Sequence, residues 1–184
     1  MTTPATSPTP DNVIDLQQRR RRFDAQTRHK MRRFLNDELT WAQVEGMSFE
    51  EAERIARLGC ELAGQGRLHE ARVIFEGLVA GNPEDTSAQA ALGTVYQRLN
   101  LTEDATACYD RALALFADNV VALAHRGELR LRAADKRGIE DLARAARIDS
   151  GGVSRAGRRA RALLRFLLER TEAKRGPQAK ARGR

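Results

Sequence analysis

The sequence predicts an all-α solenoid of helical hairpins, because one pattern of large and small residues occurs twice at an offset of 34 residues. Leu58 and Gly59 of the first copy correspond to Leu92 and Gly93 of the second. The same offset relates Leu62 to Tyr96, Ala71 to Ala105 and Phe75 to Tyr109. A self-match at this period is typical of stacked helical pairs. Abundant alanine and an aromatic content of 5% suit close-packed helices and argue against a β-sandwich.

Each predicted unit consists of a helix A, a turn and a helix B. In the first unit, Gly59 and Ala71 are small where the two helices must approach, and Phe75 fills the space beside them. Pro83 then ends helix B, because it cannot continue a helix. The second unit has Gln89 where a large apolar residue is usual. A third unit fits only if its turn, residues 133–137, is one residue shorter.

Segments at both ends complete the predicted organisation. Ser48 and Glu51 form a capping box that opens the first repeat helix. Solenoids need covers on their end repeats, so we expect capping segments on both sides. The predicted ranges are a disordered tail at 1–11, a basic helix and cap at 12–48, repeats within 49–150 (52–85, 86–119 and 120–150), a C-terminal capping helix at 152–170 and a disordered basic tail at 171–184.

The net charge of +7 belongs to the ends of the chain. Residues 51–150 carry 13 Lys/Arg against 16 Asp/Glu, a net charge of −3. Residues 151–184 carry 11 against 2, which gives +9, and residues 1–50 carry 8 against 7, which gives +1. The repeats are therefore nearly neutral, and a basic helix and tail follow them.

No pattern of reactive side chains indicates an enzyme. Cys60 and Cys108 are isolated, which gives neither a zinc site nor a redox motif. His29, His69 and His125 fall on separate elements, and no phosphate-binding loop or nucleophile elbow is present. We expect no catalytic residues, no metal and no cofactor. No apolar run approaches the ~18 residues of a membrane span, and Met1–Pro10 lacks the apolar core of a signal peptide, so a cytoplasmic protein without a membrane span is expected.

The repeats resemble the tetratricopeptide repeat (TPR), position by position, through Leu58, Gly59, Leu62, the turn at 66–71, Phe75 and Pro83. A narrower resemblance covers residues 40 to about 168. Thr40–Ser48 is similar to the T-x-x-x-x-x-G-[MI]-[SP] segment that precedes three repeats in class II chaperones of type III secretion. His125–Leu131 is similar to the H-x-G-x-x-x-L motif of their third repeat. The resemblance implies a chaperone of secreted translocator-like proteins, and a homodimer through the N-terminal helix.

In a stack of such repeats, helix A lines the concave face, so the sequence predicts a groove for an extended partner segment. The small residues of this groove can be interpreted in two ways. They leave pockets for a partner's side chains, or they let the helices pack closely. Arg98 and Arg132 would favour a partner with carboxylates, and Ala90→Trp is expected to fill the groove without unfolding the protein. The predicted groove residues are Ala56, Arg57, Cys60, Ala63, Ala90, Thr94, Gln97, Arg98, Ala124, His125, Glu128 and Leu131.

The alternative function is binding of nucleic acid or another polyanion through the basic ends, with the repeats as a scaffold. The residues expected to make those contacts on the last helix are Arg155, Arg158, Arg159, Arg161 and Arg165. Binding of this kind would depend steeply on salt. Against it, that segment offers only Phe166 for base stacking.

Overall fold

The computed structural model describes His29, Arg33, Gln43 and residues 46–175. Seven helices lie between residues 49 and 175: α1 (Phe49–Gly64), α2 (Leu68–Gly81), α3 (Thr86–Arg98), α4 (Thr102–Leu115), α5 (Val120–Arg132), α6 (Arg137–Ile148) and α7 (Arg155–Arg175). The described residues contain no β-strand. The chain divides into two compact units, Met1–Glu51 and Ala52–Arg184, and the helical pairs belong to the second, apart from the first three residues of α1. The predicted all-α repeat fold is confirmed.

Short polar side chains begin the first helix of each pair. At the start of α1, Ser48 and Glu51 form the predicted capping box: Ser48 N donates to Glu51 Oε2 (2.8 Å), and Glu51 N donates to Ser48 Oγ (3.2 Å). Asp85 accepts from two backbone N–H groups of α3, and Asn119 accepts from one of α5. These caps satisfy N–H groups that have no partner within the helix.

The turn inside each pair uses a left-handed residue at the same repeat position. Gly66, Asn100 and Ala134 have φ angles of +84°, +62° and +60°. The next residue then donates its N–H to a carbonyl five residues earlier, as Arg67 does to Leu62 (2.9 Å). This bond satisfies a helix-end carbonyl and reverses the chain. The repeat period is therefore visible in the backbone as well as in the side chains.

Glycines in the first helices receive the large side chains of the second helices. A Cβ atom added to Gly59 would lie 2.9 Å from the ring of Phe75, and one added to Gly93 would lie 2.7 Å from that of Tyr109. The predicted pairing of small and large residues thus sets the distance between helices in the first two pairs. Gln89 is buried, and its Nε2 donates to Pro83 O (3.1 Å), which explains how a polar residue replaces an apolar one.

The third pair is closer than the other two, because both helices present glycine. A Cβ atom on Gly138 would lie 2.5 Å from Gly127 O. Gly138 follows the left-handed Ala134 by four positions, whereas Ala71 follows Gly66 by five. The chain is therefore one residue shorter between turn and helix, at the place where the sequence predicts a shortened turn.

The last helix packs on the third pair through its first three turns, and the contact includes Leu163 and Leu164. Ala156 and Ala160 of α7 are buried together with Leu123 and Leu142. The helix continues to Arg175, beyond the boundary at residue 170 that the sequence predicts. The segment after residue 170 has no helix-breaking residue before Gly176 and Pro177, so the expected tail at 171–175 is helical instead.

Several predictions from the sequence fall outside the described residues. They are the disordered tail at 1–11, almost all of the basic helix and cap at 12–48, the homodimer through that helix, and the tail beyond residue 175. These stay predictions.

Candidate functional site

The first helices of the three pairs follow one another: Arg98 of α3 donates to Ala63 O of α1, α3 contacts α5, and α7 contacts α5. We infer that α1, α3 and α5 share one face of the repeat unit. We call this surface the A-helix face. Arg57, Cys60 and Arg98 are exposed on it, and Thr94 and Gln97 are half-buried. The face thus presents hydrogen-bonding and basic groups between small residues.

The structure divides the twelve predicted groove residues by their exposure. Three are exposed: Arg57, Cys60 and Arg98. Six are half-buried: Ala56, Ala63, Thr94, Gln97, His125 and Leu131. Three are buried: Ala90, Ala124 and Glu128. The exposed and half-buried residues are accessible to a ligand, and their assignment to a groove stays a prediction; the buried three have other roles.

Ala90 and Ala124 are core residues, so their placement in the groove is wrong. Ala90 is 2% exposed and belongs to a buried cluster with Ala105, Tyr109, Ala112, Ala122 and Leu129. Ala124 packs in the next cluster, with Leu123 and Leu142. Their small side chains permit neighbouring helices to approach and leave no open pocket. A tryptophan at position 90 would have to displace this core.

A partly buried hydrogen-bonded cluster joins the second and third pairs at the A-helix face, with Gln97 and His125 half-buried and Tyr109 buried. Tyr109 Oη donates to Gln97 Oε1 (2.8 Å), and His125 Nδ1 lies 3.2 Å from the same oxygen. The Tyr109 and His125 rings stack, with centroids 5.8 Å apart and planes at 16°. Gln97 Oε1 accepts from Tyr109 through one lone pair. Its second lone pair can accept from a His125 tautomer that carries its proton on Nδ1. These bonds hold Gln97 in one orientation.

Burial sets the protonation states of this cluster. It raises the pKa of Tyr109, so the phenol keeps its proton. It also lowers the pKa of His125, with the charges of Arg159 and Arg155 acting in the same direction and that of Glu128 opposing them. His125 is therefore neutral near pH 7 and adds no charge to the A-helix face.

Glu128 ties α5 to α7. It accepts from Arg159 Nε and Nη2, both at 2.8 Å, and from Arg132 Nη2 at 2.6 Å. Burial alone would raise the pKa of this carboxyl, but the hydrogen bonds and charges of the two arginines outweigh it and hold the pKa below its usual value. The sequence assigned Glu128 to the groove, whereas the structure shows an anchor for the last helix.

The arginines of α7 are divided between internal contacts and solvent. Arg158 Nη1 donates to the carbonyls of Gly152 (2.8 Å) and Val153 (2.9 Å). Arg161 donates to carbonyls at the end of α6, including that of Asp149. With Arg159 on Glu128, three of the five predicted polyanion contacts are used within the fold. Arg155 and Arg165 are exposed.

A second ion-pair network, on α5 and α6, was not anticipated from the sequence. Asp141, which is 7% exposed, accepts from Arg126 Nε (3.0 Å) and Nη2 (2.8 Å) and from Arg130 Nη1 (2.7 Å). Arg126 also donates to Asp110 of α4 (2.7 Å). A weak signal existed in the sequence, because Arg126 and Arg130 are four residues apart on one helix face. The network joins the second and third pairs.

Other kinds of site are not indicated within the part of the chain that the structure describes. There, no group of three or more His, Cys, Asp or Glu side chains is arranged to hold a metal ion. None of the helices found there combines the length and the apolar character that crossing a bilayer requires.

Three helical pairs with a period of 34 residues and a closing helix define a TPR-type helical repeat protein. No protein-family model matches the chain, and no curated protein matches its sequence. Solved structures do match. The type III secretion translocator chaperone SycD of Yersinia enterocolitica is 17% identical, with a TM-score of 0.62 over 69% of this chain and 97% of SycD.

Two further matches are complexes. PcrH, a Pseudomonas aeruginosa protein, in complex with the chaperone-binding region of PopD, is 23% identical, with a TM-score of 0.59 over 68% of this chain and 97% of PcrH. The first TPR of Spaghetti (RPAP3), bound to an HSP90 peptide, is 18% identical, with a TM-score of 0.58 over 68% of this chain and 97% of that domain. At these identities the likeness concerns the fold. The chain thus resembles both translocator chaperones and a peptide-binding TPR domain.

Proposed function

We propose that the chain binds an extended segment of a partner protein on the A-helix face, as a cytoplasmic chaperone or adaptor of the type III secretion kind. The observation that carries this proposal is the set of oriented polar groups on a face otherwise made of small side chains. Gln97 is held through its Oε1, and its Nε2 has no acceptor among the described residues. That amide can donate to a backbone carbonyl of a bound segment.

The shape of the surface suits an extended chain. Cys60 of α1 and Ser87 of α3 are exposed, and Ala56 and Ala91 are half-buried. Side chains of this size allow a partner backbone to approach the helices, as recognition through main-chain hydrogen bonds requires. The fold of SycD and PcrH supports the chaperone assignment, since PcrH is seen in complex with the chaperone-binding region of PopD.

The proposal is tested by co-purification from nuclease-treated extract of the native cell, with the full chain and two tryptophan variants. Ser87→Trp places a large side chain on the exposed A-helix face, and Arg111→Trp places one on α4, where Arg111 is also exposed. We expect one partner protein to co-purify with the full chain and with Arg111→Trp, and to be lost with Ser87→Trp.

Each variant is first shown by circular dichroism to be folded. Retention of the partner by folded Ser87→Trp would contradict the proposal. Recovery of a partner from untreated extract that is lost after nuclease treatment would instead support the polyanion alternative.

A further inference from the structure

Positive charge is concentrated where α5 and α7 meet on the A-helix face. Glu128 is the shared acceptor of Arg132 and Arg159, and its side chain is only 8% exposed. The two arginine side chains are 63% and 53% exposed. Arg155 lies one turn before Arg159 on α7, is exposed, and acts electrostatically on His125 as Arg159 does. Two guanidinium groups therefore contact the Glu128 carboxylate, and that of Arg155 lies close enough to His125 to act on its charge.

The hydrogen bonds leave most donors of these arginines free for a ligand. A guanidinium has five N–H donors. Glu128 takes two from Arg159 and one from Arg132, and no acceptor for Arg155 occurs among the described residues. Arg132, Arg155 and Arg159 carry three positive charges in this region, Glu128 carries one negative charge, and neutral His125 does not alter the balance. The surplus is +2 at this end of the face.

The basic surface continues toward the first pair. Arg98 and Arg132 hold the same repeat position, 34 residues apart, on the neighbouring helices α3 and α5. Arg98 donates to Ala63 O at the end of α1, and Arg57 of α1 is exposed and pairs with Glu53 at 3.4 Å. Arginines thus follow the A-helix face along the direction in which an extended segment would run.

We propose that the partner segment is acidic, and that its carboxylates bind Arg132 and Arg155 beside the Arg159–Glu128 pair. This inference rests on the proposed function and specifies the chemistry of the partner. Arginine binds carboxylates through two parallel N–H donors, which adds direction to the charge attraction. Thr94, Gln97 and Ala91 on this face are not aromatic, and the half-buried His125 ring already stacks on Tyr109, so the face offers little aromatic surface on which bases could stack. A peptide therefore fits better than a single-stranded nucleic acid.

The test measures binding of short fluorescent probes to the full chain by anisotropy. The probes are a twelve-residue peptide of alternating Glu and Ala, the same peptide with Gln in place of Glu, and a single-stranded DNA of equal length. We expect the Glu peptide to bind about tenfold tighter than the Gln peptide or better, because a hydrogen bond to a charged group is lost with each exchange. Added salt should weaken this binding.

Variants then locate the site. Arg132→Gln and Arg155→Gln should each lower the affinity for the Glu peptide by about tenfold. Arg159 is left intact, because it holds α7 in place. Arg111→Gln removes one positive charge from an exposed position on α4 and should change the affinity less than about twofold if the effect is local.

Each other outcome overturns the inference in a recognisable way. Equal binding of the Glu and Gln peptides, lost in Ser87→Trp, would reject an acidic partner and leave the proposed function standing. Absence of binding by either peptide would reject the inference, while the co-purification experiment would still decide the function. If DNA binds more tightly than the Glu peptide, and does so through Arg132 and Arg155, both the acidic-partner inference and the proposed function are rejected.

Discussion

Arg159 of the closing helix donates both Nε and Nη2 to Glu128 of the third pair, at 2.8 Å each. This is a two-point bond between elements that are 31 residues apart in sequence, and it fixes α7 against α5 in angle as well as position. Since Arg132 shares the same carboxylate, the pair also leaves positive charge on the A-helix face. One contact thus serves both the packing of the last helix and the charge of the proposed binding surface.

Glu128→Gln should lower the free energy of unfolding by about 1–3 kcal/mol at pH 7, because two arginines lose a buried counter-ion. The pKa of Glu128 in the folded protein lies below its usual value. Its stabilisation is therefore complete above the unfolded pKa of about 4.3 and is lost as the pH falls through the folded pKa. Urea unfolding at pH 7 and pH 3 measures this, and the difference in stability between the two proteins should be smaller at pH 3 than at pH 7.

The matched control for that experiment is Glu140→Gln on α6, an exposed residue. It should change stability by less than about 0.5 kcal/mol. A Glu128→Gln protein as stable as this control at pH 7 would show that the bond to Arg159 does not hold the last helix.

Ala90→Trp and Ser87→Trp should behave in opposite ways, although both lie in α3. Ala90 is in the core cluster with Tyr109. A large side chain there should lower the free energy of unfolding by about 1–3 kcal/mol or more, because it overpacks the core. Ser87 is exposed, and its replacement should change the free energy of unfolding by less than about 0.5 kcal/mol. Thermal unfolding followed by circular dichroism compares the two. Equal stability would mean that Ala90 faces the open surface after all.

Cys60 should react with iodoacetamide well before Cys108 does. Cys60 is exposed on α1, whereas Cys108 is half-buried. Burial, with the charges of Asp104 and Glu76, raises the pKa of Cys108 to about 11, and the thiolate is the reactive form. Peptide mass spectrometry after brief alkylation at pH 7.5 should find the adduct at Cys60, and at Cys108 only after unfolding in urea. Comparable early labelling of both thiols would count against this placement of α4.

Ala134→Gly should raise the free energy of unfolding by up to about 1 kcal/mol. Ala134 has a φ of +60°, a conformation that costs an L-residue about 1–2 kcal/mol, and the greater freedom of glycine in the unfolded chain offsets part of the gain. The neighbouring Ala133, with a φ of −81°, provides the control. Ala133→Gly should lower stability by about 0.5–1 kcal/mol. Urea titration of both variants decides the matter, and a destabilised Ala134→Gly would contradict the turn geometry.

The helical pairs could be predicted from sequence because their packing rule is local and periodic. Gly59 with Phe75 and Gly93 with Tyr109 recur at one spacing, so the small and large partners can be matched without coordinates. The third pair shows the limit of this reasoning. Gly138 packs against Gly127 after a one-residue shortening, which a strict period of 34 would miss.

The candidate site was less predictable, because side-chain size does not fix direction. An alanine at position 90 is equally consistent with a groove and with a core location. Only the position of the next helical pair decides between the two. Charge is similarly ambiguous. The sequence shows five arginines near the start of α7, but it cannot show that Arg159 bonds to Glu128 while Arg155 stays exposed. Such pairs depend on distances between helices, which no single-helix pattern contains.

The central claim, that the A-helix face binds a partner segment, is tested most directly by site-specific photo-crosslinking. A benzophenone maleimide on Cys60 samples the A-helix face, and the same reagent on Arg111→Cys, with Cys60 changed to Ser, samples α4. Both proteins carry Cys108→Ala and are irradiated in nuclease-treated native extract. We predict one crosslinked partner from Cys60 and none from position 111, whereas crosslinks of equal yield from both positions would contradict binding on the A-helix face.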